Sequence, residues 1–327
     1  MYLSIDQAVE ILTNGGIVAI PTETVYGLAG LATKPKTIQK IYKVKNRPND
    51  NPLICHFYSF EQLRKYIPEI SPAAEVLISH FSPGPISFLF DSPKNSDLKP
   101  TAKGRDTIVC RIPNSELSLK ILEKIDIPLV APSANTSGKF SPTSAHMVKA
   151  DLGQKIDGIV DGGESEIGLE STIIDCRDPN IIYILRPGSI GKLELEARLK
   201  YFDIQTIVID SQKPEDAPVT PGQKYKHYSP VTKIIKIKDW QDIPETSKFA
   251  ILATADRIQE IELLMPDISE IKFINLGQSD SQIAHNLYEN LYKLDQFKLD
   301  KAYLIDFELP VSSLSKAIRD KIDKIAS

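Results

Sequence analysis

GGIVAIPTETVYGLAG (residues 15–30), a helix-like segment, and then KVKNRPNDN (residues 43–51) form the stretch on which the fold turns. A paired glycine leads the short apolar run 16–20, which reads as a buried strand. Pro21 ends it, because proline has no N–H to give a sheet ladder. Thr22, Glu23, Thr24 and Tyr26 then stand at the strand's carboxyl end, where open α/β sheets tend to hold ligands. Ile38, Ile41, Tyr42 and Lys45 recur at helical spacing over residues 37–45, and that helix delivers Lys45 and Arg47 to a loop fixed by Pro48 and Pro52. Hydroxyls and a tyrosine opposite a held Lys and Arg suit a small anionic ligand. Arg makes forked contacts to phosphate and Lys acts as a point charge.

At 327 residues the chain exceeds what one core usually serves, so two domains are expected. Apolar content of 42% with 25% charged residues is that of a soluble globular protein. A net charge of −4 argues against broad coating of nucleic acid. The N-terminus carries no basic, apolar, small-residue signal pattern, and no apolar run is long enough for a bilayer, so a cytoplasmic protein is expected. Cys55, Cys110 and Cys176 lie far apart in apolar, strand-like surroundings and read as reduced core residues. The five histidines are scattered, and no metal-ligand spacing stands out.

Outward from the opening stretch, Ser4 with Gln7 forms a capping box for an amphipathic helix. PLICHF (52–57), PGPISFLF (83–90), TIVCRI (107–112), IPLVAPSAN (127–135) and residues 171–175 and 181–185 read as strands. Helical segments fall at 59–66, 73–81 and 117–124, and residues 93–106 read as a polar surface loop. This alternation predicts an α/β fold with a mixed, twisted sheet over residues 1–202. Residues 203–231 hold Pro214, Pro218, Pro221 and Pro230 among polar residues, a linker composition. Residues 232–327 resume the alternation as a small Rossmann-like domain without a glycine-rich dinucleotide fingerprint.

Each candidate has a plain structural reading. Lys45 and Arg47 in isolation read as a solvated helix end. The hydroxyls of PSANTSGKFSPT (132–143) either cap the next helix or nest an anion. Arg111, inside an apolar strand, needs a carboxylate, supplied by the protein or by a substrate. His56 near a strand end reads as a hydrogen-bonded structural residue or a ligand contact. Ser171 in GLESTIID sits at a strand start, where capping is the plain alternative. No Ser–His–Asp arrangement stands out, so the cations and hydroxyls favour binding and charge stabilisation over side-chain nucleophilic catalysis.

In order, PTETVYGL, KNRPNDNPL with His56, PGP at 83–85, Arg111, APSANTSGKFSPT, GLESTIID and LRPG resemble the YrdC-like family across about the first 190 residues. PGQKYKHYSP (221–230) and the α/β segment after it resemble the family's two-domain form. Ser82, Ile86-Ser87 and Thr220 depart from the family pattern at packing or turn positions. The resemblance implies synthesis of threonylcarbamoyl-adenylate from L-threonine, bicarbonate or CO2 and ATP, with release of pyrophosphate. The product would serve threonylcarbamoylation of the tRNA adenosine next to the anticodon.

By the same resemblance, Lys45, Arg47, Asn51, Thr107, Ser133, Ser141 and Arg186 would face ATP, Lys45 and Arg47 stabilising the reacting phosphates. His227 would fold back from the linker onto the nucleotide as part of a lid. Thr24, His56, Arg111, the Ala131 backbone and Ser171 would face threonine, with Arg111 taking its carboxylate, and Asn135 would support the same loop. Mg2+ would ride on the triphosphate, and tRNA or a downstream transferase complex would be partners. An RNA-binding module without chemistry is the alternative, and the Arg111, His56 and Ser171 set speaks against it because an RNA groove needs no small carboxylate pocket. A related carbamoyl-adenylate chemistry in larger proteins would bring zinc-finger-like cysteine pairs, which this chain lacks.

Overall fold

The computed structural model describes residues 1–94, 96–210, 230–243, 248–264 and 271–326. They divide into two compact units. The first runs over residues 1–137 and again from Ser141 through residue 210, and the second holds residues 138–140 together with 230–326.

The first unit opens with α1 (Ile5–Thr13), where Ser4 and Gln7 exchange the two hydrogen bonds of the expected capping box. The stretch 16–20 contributes β1 (Val18–Ile20), fully buried, and Gly27 begins β2 (Gly27–Leu31). Next come α2 (Pro35–Lys45), β3 (Ile54–His56), α3 (Phe60–Tyr66) and α4 (Pro72–Phe81). After β4 (Ile86–Asp91) the expected surface loop instead holds one helical turn, α5 (Lys99–Ala102), anchored by buried Leu98, Thr101 and Ala102. There follow β5 (Thr107–Arg111), α6 (Glu116–Ile125), β6 (Leu129–Val130), α7 (Ala145–Leu152), β7 (Gly158–Ile159), β8 (Thr172–Asp175) and β9 (Ile181–Arg186).

Two further elements close the unit: α8 (Lys192–Tyr201) and β10 (Ile207–Ile209). The segment 203–210, read from sequence as linker, therefore supplies an edge strand, which pairs in parallel with β9 from Ile207↔Ile181 to Ile209↔Tyr183.

Among the described residues these strands form a ten-stranded mixed sheet, ordered β10-β9-β8-β4-β5-β3-β6-β2-β1-β7. Side chains alternate between its faces. One face packs Cys55, Phe88, Cys110, Val130 and Ile174 against α2, α3, α4, α7 and α8. All three cysteines are buried free thiols, and burial pushes Cys55 up to about 12. The opposite face is covered by α1 and α6 over β1, β2 and β6, through Leu12, Ile121 and Leu122. Farther along that face, Ile54, Leu89, Val109, Ile173 and Leu185 form a cluster made of strand residues alone. The alternation decides where chemistry can sit. His56, Arg111, Ser87 and Ser171 each lie two residues from a member of this cluster, so they share its face.

The second unit comprises β11 (Lys233–Ile237), β12 (Ala250–Ala253), α9 (Ala255–Leu264), β13 (Lys272–Asn275), α10 (Asp280–Gln296), β14 (Lys301–Ile305) and α11 (Ser313–Ile325). Its sheet, ordered β11-β14-β12-β13, is parallel at every pairing, as the Rossmann-like expectation requires. No helix among the described residues is long and apolar enough to cross a membrane.

Candidate active site

The loop after β1 is tied by its own hydroxyls. Thr22 Oγ1 donates to Val25 O at 2.6 Å, accepts from the Thr24 and Val25 amides, and lies 2.8 Å from Thr24 Oγ1. The Glu23 carbonyl accepts from Ile167 N–H at 2.8 Å, fastening this loop to the segment that leads into Ser171. Arg111 ends β5 and is 5% exposed, and its Nη2 donates to Glu23 Oε1 at 2.8 Å while Nε reaches Gly84 O. The sequence left open which carboxylate pairs Arg111, and the protein carboxylate is the one present.

His56 pairs with Arg111 across β3 and β5. Burial, helped by the Arg111 charge and opposed by a hydrogen bond to Ile54 O, pulls its imidazole down to about 3. It is therefore neutral at ordinary pH. With Nδ1 3.2 Å from the Ile54 carbonyl, the tautomer that satisfies the contact carries its proton on Nδ1 and leaves Nε2 as an acceptor.

Ser171, just before β8, joins two parts of the site. Its Oγ lies 2.8 Å from Ser87 Oγ and accepts from Arg186 Nη2 at 3.0 Å, while Arg186 Nε donates to its carbonyl. Ser171 does more than cap a strand. Ser87, one of the departures from the family pattern, keeps a hydroxyl in contact with it.

Lys45 and Arg47 are no solvated helix end. Lys45 is 1% exposed, and its Nζ donates to the Ser133 and Asn135 carbonyls, the latter at 2.6 Å. Ser137 N–H returns a bond to Lys45 O, so α2 and the loop after β6 hold one another. Burial, aided by the neighbouring Arg47, pushes the Lys45 ammonium well below the usual lysine range. Arg47 wraps its own loop, donating to Asn51 O and Pro52 O, and Tyr42 Oη donates to the same Asn51 carbonyl. Arg47 is half-exposed as a residue, but its guanidinium is desolvated. Burial draws it down to about 10, with Tyr42 opposing and the nearby Arg186 charge adding to the fall. Arg47 thus lies near enough to feel the charge of Arg186 and to depress Lys45, a repulsion that an anion beside Arg47 would relieve.

Among the other sequence candidates, Asn51 and Thr107 are buried, and Thr107 lies on the Arg111 face of β5. Ala131 donates to Ile54 O and packs so closely on β2 that a Cβ on Gly27 would lie 2.9 Å from its own Cβ. Ser133 contributes its carbonyl to Lys45, and Asn135 bridges to Thr136 O within the loop. Neither Ser141 nor Thr143 caps the next helix, whose N-cap is Ser144. Ser141 Oγ donates to Glu170 Oε1 at 2.7 Å. His227 lies outside the described residues. Ser87 and Glu170 were not singled out from sequence, and Glu23 only by its place after the first strand and with no role, because each is recognised by a partner 29 to 88 residues away.

A family model described as "Telomere recombination", which unites the Sua5, YciO and YrdC proteins, matches residues 10–188. The chain belongs to the Sua5/YciO/YrdC family. A model described as "Threonylcarbamoyl-AMP synthase, C-terminal domain" matches residues 191–327, placing the chain with the two-domain members. The threonylcarbamoyl-AMP synthase of Pyrococcus abyssi is 38% identical over 296 residues, covering 88% of this chain and 84% of that protein. That of Bacillus subtilis is 32% identical over 329 residues, covering 98% and 92%. A crystal structure described as P. abyssi Sua5 complexed with L-threonine superposes with a TM-score of 0.81 at 32% identity, covering 98% of this chain and 94% of that one. The family membership and the mixed α/β fold agree with the sequence reading.

Proposed function

We propose that the chain is an enzyme joining L-threonine, carbon dioxide or bicarbonate, and ATP into threonylcarbamoyl-adenylate with release of pyrophosphate, for threonylcarbamoylation of the tRNA adenosine next to the anticodon. The observation that carries this reading is the likeness, over nearly the whole chain, to relatives named threonylcarbamoyl-AMP synthase. The RNA-binding alternative has no comparable support. In this reading the carbamate formed on threonine's amine attacks the α-phosphorus of ATP. A carbamate O–P bond forms, the bond to the β-phosphate oxygen breaks, and its electron pair leaves on pyrophosphate.

The nucleophile is already anionic, so the protein's task is to hold two anions together. Two unit charges about 4 Å apart repel by about 4 kcal/mol at an effective dielectric of 20. Lys45, Arg47 and Arg186 are suited to offset that repulsion on the phosphates, with Asn51, Thr107, Ser133 and Ser141 around the nucleotide and Mg2+ entering on the triphosphate. Thr24, Ala131 and Ser171 would bound the amino acid, Arg111 would take its carboxylate and His56 Nε2 would accept from its hydroxyl. Action in the cytoplasm, with tRNA or a transferase complex downstream, belongs to the same proposal.

The test is pyrophosphate release from ATP, with the adenylate identified by mass spectrometry. We expect joint dependence on L-threonine and bicarbonate. L-Serine should be several-fold poorer, since threonine's methyl is worth about 1 kcal/mol in an apolar niche. Turnover indifferent to threonine or bicarbonate, or RNA binding without turnover, would overturn the reading.

A further inference from the structure

Glu23 has a carboxylate that the ion pair with Arg111 uses only by half. Its side chain is 3% exposed and Oε1 receives Arg111 Nη2. Oε2 is buried, and no described residue donates to it. A carboxylate oxygen held from water without a donor is costly, and such atoms in folded proteins call for an explanation. A loosely held side chain does not supply one. The backbone of Glu23 is fixed through Ile167, the adjoining turn by the Thr22 and Thr24 hydroxyls, and the side chain by Arg111.

The groups around Glu23 narrow what the missing donor is. Arg111 is itself half-committed, since Nε and Nη2 serve Gly84 and Glu23 while Nη1 reaches no described residue. His56 is neutral and offers an acceptor. The Arg111–Glu23 ion pair thus keeps one cationic donor edge and one anionic oxygen that no described residue uses. That arrangement is complementary to a molecule carrying a carboxylate and an ammonium on adjacent atoms.

We propose that Glu23 is a substrate-binding residue whose Oε2 accepts from the α-amino group of the amino-acid substrate, while Arg111 takes the carboxylate. This rests on the reading that the substrate is an amino acid, and it adds the recognition of its nitrogen. Four charges then alternate in sign, and the nitrogen that must meet carbon dioxide is held in place. Selection against deaminated acids follows, because such a molecule leaves Oε2 unsatisfied.

The experiment compares L-threonine with 3-hydroxybutanoate, which keeps threonine's carboxylate, hydroxyl and methyl but lacks the amine. Binding of both is measured by calorimetry to the full-length protein and to Glu23→Gln. Glu23→Gln can still accept from Arg111 but turns an N–H2 toward the substrate amine. The wild-type protein should prefer threonine, and Glu23→Gln should lose about tenfold to a hundredfold in threonine affinity while changing little toward 3-hydroxybutanoate. ATP affinity should be unchanged. A purely structural brace would weaken both ligands alike, and that result overturns the proposal. Should Glu23→Gln fail to fold, Glu23→Asp keeps the charge but draws it back, and it must narrow the preference; an unchanged preference also overturns it. Wild-type protein that binds no threonine at all would instead sink the amino-acid reading.

Discussion

At His56 the difference between a structural and a working histidine becomes measurable. Buried beside Arg111, its imidazole is held down to about 3 in the folded chain, against about 6.5 when unfolded. Above pH 6.5 both states are neutral and stability is complete. As pH falls below 6.5 the unfolded chain takes up a proton that the folded chain refuses, so stability is lost toward pH 3. Between pH 6.5 and 5 the loss from this one group is about 1.5 kcal/mol. Urea midpoints across that range should fall with acid in the wild-type protein and more shallowly in His56→Gln. Parallel slopes would mean that the imidazole is hydrated. The sequence offered His56 and Arg111 as candidates because polar residues interrupt apolar strands there. It did not disclose Glu23 as the partner of Arg111, since that pair joins residues 88 positions apart.

At the scale of elements, the turn after β9 shows how packing sets the site. Arg186, Pro187 and Gly188 lead away from β9, and a Cβ on Gly188 would lie 2.4 Å from the Thr172 backbone nitrogen and 2.9 Å from the Ser171 carbonyl carbon. Those are backbone atoms, so the neighbour cannot swing aside. Thr172 Oγ1 also donates to Ile190 O at 2.6 Å, closing the turn over β8. Gly188→Ala should therefore destabilise the protein by about 1–3 kcal/mol. It should also lower turnover beyond that loss, because Ser171 and Arg186 move together. Wild-type urea midpoint and rate in Gly188→Ala would show that the turn can shift freely.

The elements legible in sequence were those with clean periodicity, such as α1 with its capping box. The helix α8 was not, because Leu193 and Leu195 alternate as in a strand and only Leu195 and Leu199 meet the core. The single turn α5 is polar by composition, and only Leu98, Thr101 and Ala102 betray that it is buried. Lys45 reads as surface charge until the carbonyls of a loop some 90 residues away surround it.

For the whole molecule, the place where the first unit ends has consequences that composition alone misjudged. Prolines after residue 210 suggested a linker from 203, yet Val208 is fully buried and β10 covers the outer edge of β9. A strand of three residues with Ile207 62% exposed carries too little alternation to be recognised locally. Removing it would bare the backbone groups of β9, with Tyr201 and Phe202, both exposed, close by in the chain. Bare apolar edges invite pairing with another copy. A chain ending at residue 210 should melt cooperatively as a monomer. One ending at 202 should lose about 2–3 kcal/mol, from Val208 burial and a few ladder bonds. For a domain of this size that lowers the melting temperature by about 5–10 °C. Light scattering should also show the shorter chain associating at concentrations where the longer one stays single. Equal melting temperatures and equal mass for the two would mean that β10 rests on the sheet without supporting it, and the boundary at 203 would stand.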